Sequence, residues 1–210
     1  MAHPLATREE HPAPARWMHF VHLLSIFVLA FTGFYIARPF FPGGMGAMRM
    51  THFIFMFVLI VTAVVRVWWA FVGPGSAPLG RREKVRDYRH FGYQRENRGT
   101  FWGTVKYYLF LQPTAPQVYK YNSLQKGTYV FWLLLIAAQA VTGFAIWSPT
   151  QEWFLPLTYA LGGSMYVRTW HYLIMWLFLI TTAIHIYLSA LHLDELKMMF
   201  TGREMRGAGE

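Results

Sequence analysis

Four long stretches of apolar residues alternate with polar segments along the chain. They cover residues 17–37, 50–72, 128–147 and 169–193, and together they contain one Lys, Arg, Asp or Glu, which is Arg66. Each stretch reaches the length of about 20 apolar residues that a helix needs to cross the hydrocarbon layer. Because lipid offers no hydrogen-bonding partners, a backbone that crosses it is expected to be helical. The pattern predicts an all-α integral membrane protein, a bundle of four transmembrane helices in one domain over residues 1–210.

The segment between the second and third stretches, residues 73–127, is predicted to be a long loop. Fifteen of the nineteen Lys and Arg residues lie in this loop, in the N-terminal arm or in the C-terminal tail, which share one side of a four-span protein. Positive residues favour the cytoplasmic side, so we expect the loop and both termini in the cytoplasm. Residues 101–111 are aromatic and apolar with one Lys, which indicates an amphipathic helix on the membrane surface.

Composition narrows the chemistry further. The net charge of +9 is accounted for by membrane topology, so we expect no nucleic-acid partner. The chain has no cysteine, which excludes covalently attached c-type haem, cysteine-ligated iron–sulfur clusters and structural zinc sites built on Cys. Nine histidines remain as ligands for a redox centre. No internal repeat is evident.

Histidines recur inside the predicted spans, where ionisable residues are costly and usually functional. His171 and His185 are fourteen residues apart, which is close to four helical turns and roughly 21 Å, so both lie on one helix face at two depths. Counting from the ends of the spans places His171 near the outer face of the membrane, and His52 lies at the same depth. His19 lies at the inner depth of His185, and His22, one turn away, competes with it on depth alone.

Two histidine pairs at two depths are the arrangement expected of two bis-histidine haems stacked across a bilayer. A zinc or copper site would gather its histidines at one depth, and a proton relay would need carboxylates in the spans. Helix-to-helix hydrogen bonding in a haem-free transporter or assembly protein is the remaining alternative. Gly33 and Gly143 would let a macrocycle approach the backbone.

The other histidines are assigned different environments. His192 is predicted to be interfacial, with a role near a quinone site. His3, His11 and His90 are expected to be exposed to solvent.

Several segments together resemble the b-type cytochrome subunit of membrane-bound nickel–iron hydrogenases, a family that is related to the gamma subunit of formate dehydrogenases. The matching segments are Arg16-Trp17-Met18-His19 followed by Thr32-Gly33, Arg49-Met50-Thr51-His52-Phe53, residues 66–73, residues 107–111, Trp170-His171, and His185-Ile186-Tyr187. Their order and spacing are specific, whereas each motif alone is weak.

The resemblance implies two haems b, with His52 and His171 as the iron ligands of the outer haem and His19 and His185 as those of the inner one. It implies a hydrogenase heterodimer as partner, whose small subunit carries iron–sulfur clusters beside the large subunit, in the bacterial inner membrane. The chain would pass electrons from this periplasmic partner to membrane quinone, menaquinone or ubiquinone. It has no hydrogen-activating site of its own.

The segment 120–126 is more similar to the formate dehydrogenase gamma subunit, in which an Asn and a Gln lie beside the quinone. Carried over, Asn122 and Gln125 would face the quinone near His185, although Leu124 stands where that family has Gly. The alternative is a polar cap that precedes the third helix. Two further functions stay open: a gamma-type subunit of another respiratory dehydrogenase, and a stand-alone di-haem cytochrome b that exchanges electrons with quinone.

Overall fold

The computed structural model describes residues 12–75, 85–93, 95–116, 118 and 121–202. Its helices are α1 (Ala13–Ala37), α2 (Met45–Val72), α3 (Phe101–Tyr108), α4 (Ser123–Ile146), α5 (Leu155–Ala160), α6 (Ser164–Ala190) and α7 (Leu193–Thr201). By length and apolar composition, α1, α2, α4 and α6 are each able to cross a membrane. The prediction of four apolar spans is thereby confirmed.

The four long helices begin four or five residues before the predicted spans do. Their first turns carry small or polar residues such as Ser123 and Ser164, which hydropathy assigns to loops although they are suited to helix starts. The fourth span was predicted to continue to residue 193, but α6 ends at Ala190 and α7 begins at Leu193, with His192 as its N-cap residue. The predicted amphipathic helix in the loop is α3.

The segment between α2 and α4 contains more than α3. Two short strands, β1 (Pro74–Gly75) and β2 (Val85–Arg86), pair antiparallel, and Pro74 lies opposite Arg86. Two 3₁₀ turns, Asp87–His90 and Arg95–Asn97, follow them. The strand pair is a small departure from the all-α prediction.

The described residues fall into two compact units. The first unit draws on the described residues within Met1–His19, Val64–Val130 and Ile186–Glu210, and the second consists of Phe20–Ala63 and Phe131–His185. Each of the four long helices contributes residues to both units. The single domain over residues 1–210 stays a prediction.

In the second unit, segments of all four long helices pack on one another. Phe34 of α1 meets Trp176 of α6 edge to face, with ring centroids 5.5 Å apart. Phe53 of α2 lies against Trp147 of α4, with ring centroids 5.3 Å apart. Aromatic pairs at such separations contribute about 0.5–1.5 kcal/mol beyond the apolar area that they bury.

The second unit has small polar residues inside and large apolar residues outside. Ser25 is fully buried and Thr142 is 6% exposed, whereas Phe31, Leu134 and Ile180 are each more than half exposed. In a membrane, small residues and hydroxyls pack helices together while large apolar side chains face the lipid. This distribution, with the four apolar helices, is that of a membrane protein.

A buried phenol closes the turn between α1 and α2. Tyr35, which is 1% exposed, donates a hydrogen bond of 2.6 Å from its hydroxyl to the carbonyl of Phe41 and accepts one of 3.1 Å from the amide of Gly44. A Cβ atom at position 44 would lie 2.8 Å from the same hydroxyl. The turn therefore requires glycine at this position.

The first unit is held by two arginine contacts. Arg66 near the end of α2 forms an ion pair of 2.6 Å with Asp87, which is 5% exposed. Arg16 donates a hydrogen bond of 2.7 Å to the carbonyl of Phe200 near the end of α7. Gly202 ends α7 with φ at 76°, and a Cβ there would lie 2.8 Å from the Arg16 guanidinium. Glycine is thus required by the backbone angle, and any larger residue would also have to displace the Arg16 guanidinium.

Candidate functional site

The second unit brings two of the predicted ligands together. The imidazole rings of His52 on α2 and His171 on α6 have centroids 6.5 Å apart and planes inclined at 59°. Both side chains are partly buried. The pairing of these two histidines by depth along their helices therefore corresponds to a close approach of the rings.

The spacing of the two rings suits a metal ion bound between them. With imidazole–metal bonds of roughly 2.0–2.1 Å, two rings bound to one ion through one nitrogen each have centroids at most about 6.4 Å apart, and the observed spacing is close to this maximum. Among the described residues, no group of three or more His, Cys, Asp or Glu side chains is placed to hold a metal ion. Two imidazoles alone are the donor set of a bis-histidine haem, and the site fits that cofactor.

Each of these histidines is held by a threonine on the neighbouring helix. The Oγ1 atom of Thr32 on α1 lies 2.8 Å from Nδ1 of His52. The Oγ1 atom of Thr142 on α4 lies 2.9 Å from Nδ1 of His171. Both bonds involve Nδ1, so Nε2 of each ring is the nitrogen available to a metal.

Two glycines make room for the rings. A Cβ at Gly33 would lie 3.6 Å from Cε1 of His52, and a Cβ at Gly143 would lie 3.3 Å from Cε1 of His171. The sequence predicted that these glycines admit a macrocycle to the backbone. The structure places them directly beside the histidine rings.

The arrangement around the two histidines is repeated. A Thr-Gly dipeptide at 32–33 and at 142–143 faces the histidine of the next long helix, and each histidine is followed four residues later by methionine, Met56 or Met175. Each glycine lies near the methionine that follows the other histidine. A Cβ at Gly33 would lie 3.5 Å from the sulfur of Met175, and a Cβ at Gly143 would lie 4.0 Å from the sulfur of Met56. The prediction of no evident repeat missed this local pattern, whose signal was the recurring dipeptide.

The remaining predicted ligands are placed separately. His185 on α6 packs against Trp132 of α4, with ring centroids 5.2 Å apart and planes at 77°. Trp132 is itself fixed by a hydrogen bond of 2.9 Å from its Nε1 to the hydroxyl of Thr181. His22 belongs to the same unit as His185, whereas His19 is the last α1 residue of the other unit.

The predicted quinone residues form a reciprocal cap at the start of α4. The backbone amide of Gln125 donates to Oδ1 of Asn122 at 2.8 Å, and the backbone amide of Asn122 donates to Oε1 of Gln125 at 3.0 Å. This is a capping box, which satisfies two backbone donors at once. The polar-cap alternative is therefore present in the structure, and it leaves the side-chain NH₂ group of each residue outside the cap.

Two other histidines can be compared with their predictions. His90 was expected to be exposed, but it is fully buried in the 3₁₀ turn that also buries Asp87. Hydropathy missed this because the loop is rich in charge, yet it folds on itself, with the rings of His90 and Tyr121 6.3 Å apart. His192 stacks on Tyr107 of α3 with ring centroids 6.1 Å apart. His3 and His11 lie outside the described residues.

These features define a helical membrane protein with a paired-imidazole site between two of its spans. Residues 10–202 match the family model described as prokaryotic cytochrome b561, and the chain belongs to this family. Membership of a cytochrome b family implies a b-type haem, which agrees with the donor set of the site.

Named relatives agree with the family. The chain is 33% identical to a protein of Azotobacter chroococcum mcd 1 named "Probable Ni/Fe-hydrogenase B-type cytochrome subunit", over 86% of this chain and 79% of that protein. A protein of the same name from Azotobacter vinelandii is 32% identical, over 85% and 78% of the two chains. The "Probable Ni/Fe-hydrogenase 1 B-type cytochrome subunit" of Escherichia coli (strain K12) is 28% identical, over 84% and 80%. The predicted resemblance to hydrogenase b-type cytochromes is confirmed.

Proposed function

We propose that this chain is the di-haem cytochrome b subunit that anchors a periplasmic nickel–iron hydrogenase in the membrane and passes its electrons to quinone. The observation that carries the proposal is the approach of the His52 and His171 rings to 6.5 Å between centroids. The names of the relatives supply the partner. Haem b, when bound, supplies reversible one-electron transfer.

The outer haem would be held by His52 and His171 through their Nε2 atoms. Their Nδ1 atoms are engaged by hydroxyls of neighbouring helices, so the chain fixes the orientation of both rings. Gly143 keeps a side chain from pushing the His171 imidazole away from this orientation, because a Cβ there would lie 3.3 Å from its Cε1 atom. The protein thereby contributes ligand geometry and a largely apolar surrounding, the two properties by which it sets the behaviour of a bound haem.

The inner haem would be held by His185 and His19, with His22 as the competing ligand on α1. The Trp132 ring, inclined at 77° to the His185 ring, limits the rotation of that imidazole. Fourteen residues separate His171 from His185 on one continuous helix, so the two proposed sites lie roughly 21 Å apart along the helix.

Quinone would bind near Asn122 and Gln125, with His185 nearby. The capping box uses the side-chain oxygens of both amides, so each presents its NH₂ group as a donor. A neutral NH₂ donor suits a quinone carbonyl because it stabilises the oxygen without adding charge. Protons for the reduced quinone would come from the cytoplasmic side.

The membrane arrangement follows the positive-inside pattern. Both termini and the 73–127 segment would lie in the cytoplasm, and the opposite face would receive the iron–sulfur small subunit and the large subunit of the hydrogenase. Oxidation of hydrogen outside and proton uptake inside would then contribute to a proton-motive force. The chain would provide electron transfer and quinone reduction in a bacterial inner membrane and leave hydrogen activation to its partner.

A second candidate is a gamma-type subunit of another respiratory dehydrogenase, formate dehydrogenase among them. The feature that favours it is the segment 120–126, which resembles that family more than the hydrogenase subunits. A stand-alone di-haem cytochrome is the third candidate, and it would need no iron–sulfur partner.

The experiment is a reduced-minus-oxidised pyridine haemochrome spectrum of the chain purified from its native membrane, with identification of co-purifying proteins. We expect two haems b for each chain together with hydrogenase subunits. Two haems with formate dehydrogenase subunits, or with no iron–sulfur protein, would move the function to the second or third candidate. A chain without haem would refute the proposal.

A further inference from the structure

Two buried hydroxyl groups, 110 positions apart in the sequence, contact the two histidines of the outer site. Thr32 is 2% exposed and Thr142 is 6% exposed. The two threonines have the same surroundings. Each precedes a glycine, and its Oγ1 lies within 2.9 Å of the Nδ1 atom of a histidine on the next long helix. Each also lies close to carbonyls of its own helix.

Distances to those carbonyls locate the hydroxyl protons. Oγ1 of Thr32 lies 2.7 Å from the carbonyl oxygen of Val28, and Oγ1 of Thr142 lies 2.7 Å from that of Ala138. Two oxygens approach this closely only with a proton between them, and a carbonyl has none to give. The single proton of each threonine therefore points at its own helix.

The histidine then has to supply the proton of the second bond. A hydroxyl whose proton is already donated can only accept, so the Nδ1 atom of each histidine carries a hydrogen. The carbonyl oxygens of Leu29 and Gln139 lie 3.2 Å from the Oγ1 atoms of Thr32 and Thr142, respectively, and are second acceptors for the same hydroxyl protons on the threonine's own helix.

We propose that Thr32 and Thr142 are positioning residues that hold His52 and His171 in the tautomer with the proton on Nδ1. The lone pair of each Nε2 then points away from the threonine and is the one offered to iron. This inference rests on the proposed haem site and adds to it the groups that select the ligating nitrogen. In metal sites generally, a hydrogen bond to the second nitrogen of a histidine fixes its tautomer and raises its basicity.

The repeated geometry predicts how the midpoint potential of the outer haem depends on the two threonines. Because His52 and His171 face each other, both threonines act on one and the same haem. An acceptor on Nδ1–H increases electron donation from the ring and so favours oxidised iron. Loss of either hydroxyl therefore raises the midpoint potential of the outer haem and leaves that of the inner haem unchanged.

The test uses Thr32→Val and Thr142→Val in the full-length chain, since valine keeps the shape and removes the hydroxyl. Haem content, the potentials from a redox titration and the ferric electron paramagnetic resonance spectrum are measured in each variant. We expect two haems per chain, a higher potential for the same haem in both variants, and altered g-values for that haem. Thr32→Ser, which keeps the hydroxyl, should restore the wild-type potential.

Thr62→Val is the matched control. Its hydroxyl donates at 2.6 Å to the carbonyl of Val58 within α2, and in the part of the chain that the structure describes no histidine hydrogen bond is found for it. This variant should keep both potentials. If the wild-type chain binds no haem, the proposed function fails first.

A wild-type chain with two haems whose potentials and spectrum survive both valine variants would overturn the positioning role alone. The valine variants, and Thr32→Ala and Thr142→Ala, could instead lose helix content together with haem. The two threonines would then be structural, and the positioning role would also be overturned. Loss of the outer haem alone from a folded variant would support the proposal.

Discussion

Gly33 and Gly143, beside His52 and His171, look equivalent in sequence but differ in the space that the structure leaves for a methyl group. A Cβ at position 143 would lie 3.3 Å from Cε1 of His171, whereas a Cβ at position 33 would lie 3.6 Å from Cε1 of His52 and 3.5 Å from the sulfur of Met175. The optimum for two carbon atoms is about 3.5–4.0 Å. Gly143→Ala must therefore displace a ring by a few tenths of an ångström, and Gly33→Ala need not.

The change in stability of each alanine variant is the sum of two opposing contributions. Alanine in a helix interior is favoured over glycine by about 0.8–1.0 kcal/mol, and overpacking costs about 1–3 kcal/mol. We expect Gly33→Ala to be stabilising by about 1 kcal/mol and Gly143→Ala to be destabilising by up to about 2 kcal/mol. The same displacement lengthens the 2.9 Å bond between Thr142 and His171 toward the limit of about 3.2 Å at which such bonds weaken.

The assay is thermal unfolding of both variants in one detergent, followed by far-ultraviolet circular dichroism, with the haem spectrum recorded in parallel. One kcal/mol corresponds to about 2–4 °C for a chain of this size, so Gly143→Ala should melt several degrees below Gly33→Ala. Equal melting temperatures, or the reverse order, would refute the argument from ring contacts.

Three further predictions concern the first unit. Gly202→Ala should destabilise by about 1–2 kcal/mol, because a non-glycine residue is strained at φ 76° and its Cβ meets Arg16. Asp87→Asn should cost about 1.5–3 kcal/mol, toward the lower end because the Arg66 side chain is 28% exposed. Gln125→Glu keeps the acceptor for the cap but loses the NH₂ donor, so melting should stay near wild type while quinone reduction falls up to about tenfold.

Matched variants separate these effects from general damage. Gly127→Ala, where a Cβ would meet nothing within 4 Å, should not lower the melting temperature, and a loss equal to that of the Gly202 variant would contradict the strain argument. Glu152→Gln removes an exposed carboxylate and should leave stability unchanged. Gln125→Ala should lower stability by about 0.5–2 kcal/mol through the cap. A Gln125→Glu chain with full quinone activity would remove Gln125 from the quinone site.

Much of the fold follows from sequence because lipid imposes simple rules. A backbone in hydrocarbon must be helical, and about 20 apolar residues are needed to cross it, so four spans could be counted directly. Their starts were placed late because hydropathy gives no weight to a polar first turn such as the cap at Asn122. The buried state of His90 was missed because it depends on how a charged loop folds on itself.

Within the candidate site, the depth of each histidine along its helix could be predicted, but the side chains that contact it could not. The rise per residue of a helix places His52 and His171 at one level, but the rotation of one helix against another decides which hydroxyl reaches which nitrogen. Thr32 was visible only as part of a motif, and Thr142 only through the recurrence of the Thr-Gly dipeptide. Hydrogen bonds between helices are set by packing, and a single sequence does not encode packing in a readable pattern.

The closed turn after α1 fixes the longitudinal register of α1 against α2. Tyr35 is three residues, almost one turn, beyond Thr32, and its hydroxyl links α1 to Phe41 and Gly44, just before α2 begins. A slip of α2 by one residue would move it about 1.5 Å along its axis with a rotation of about 100°, enough to carry His52 away from Thr32. The Tyr35 hydroxyl is hydrogen-bonded to the turn, and through the register of α2 it helps to set which atom of the His52 imidazole faces Thr32.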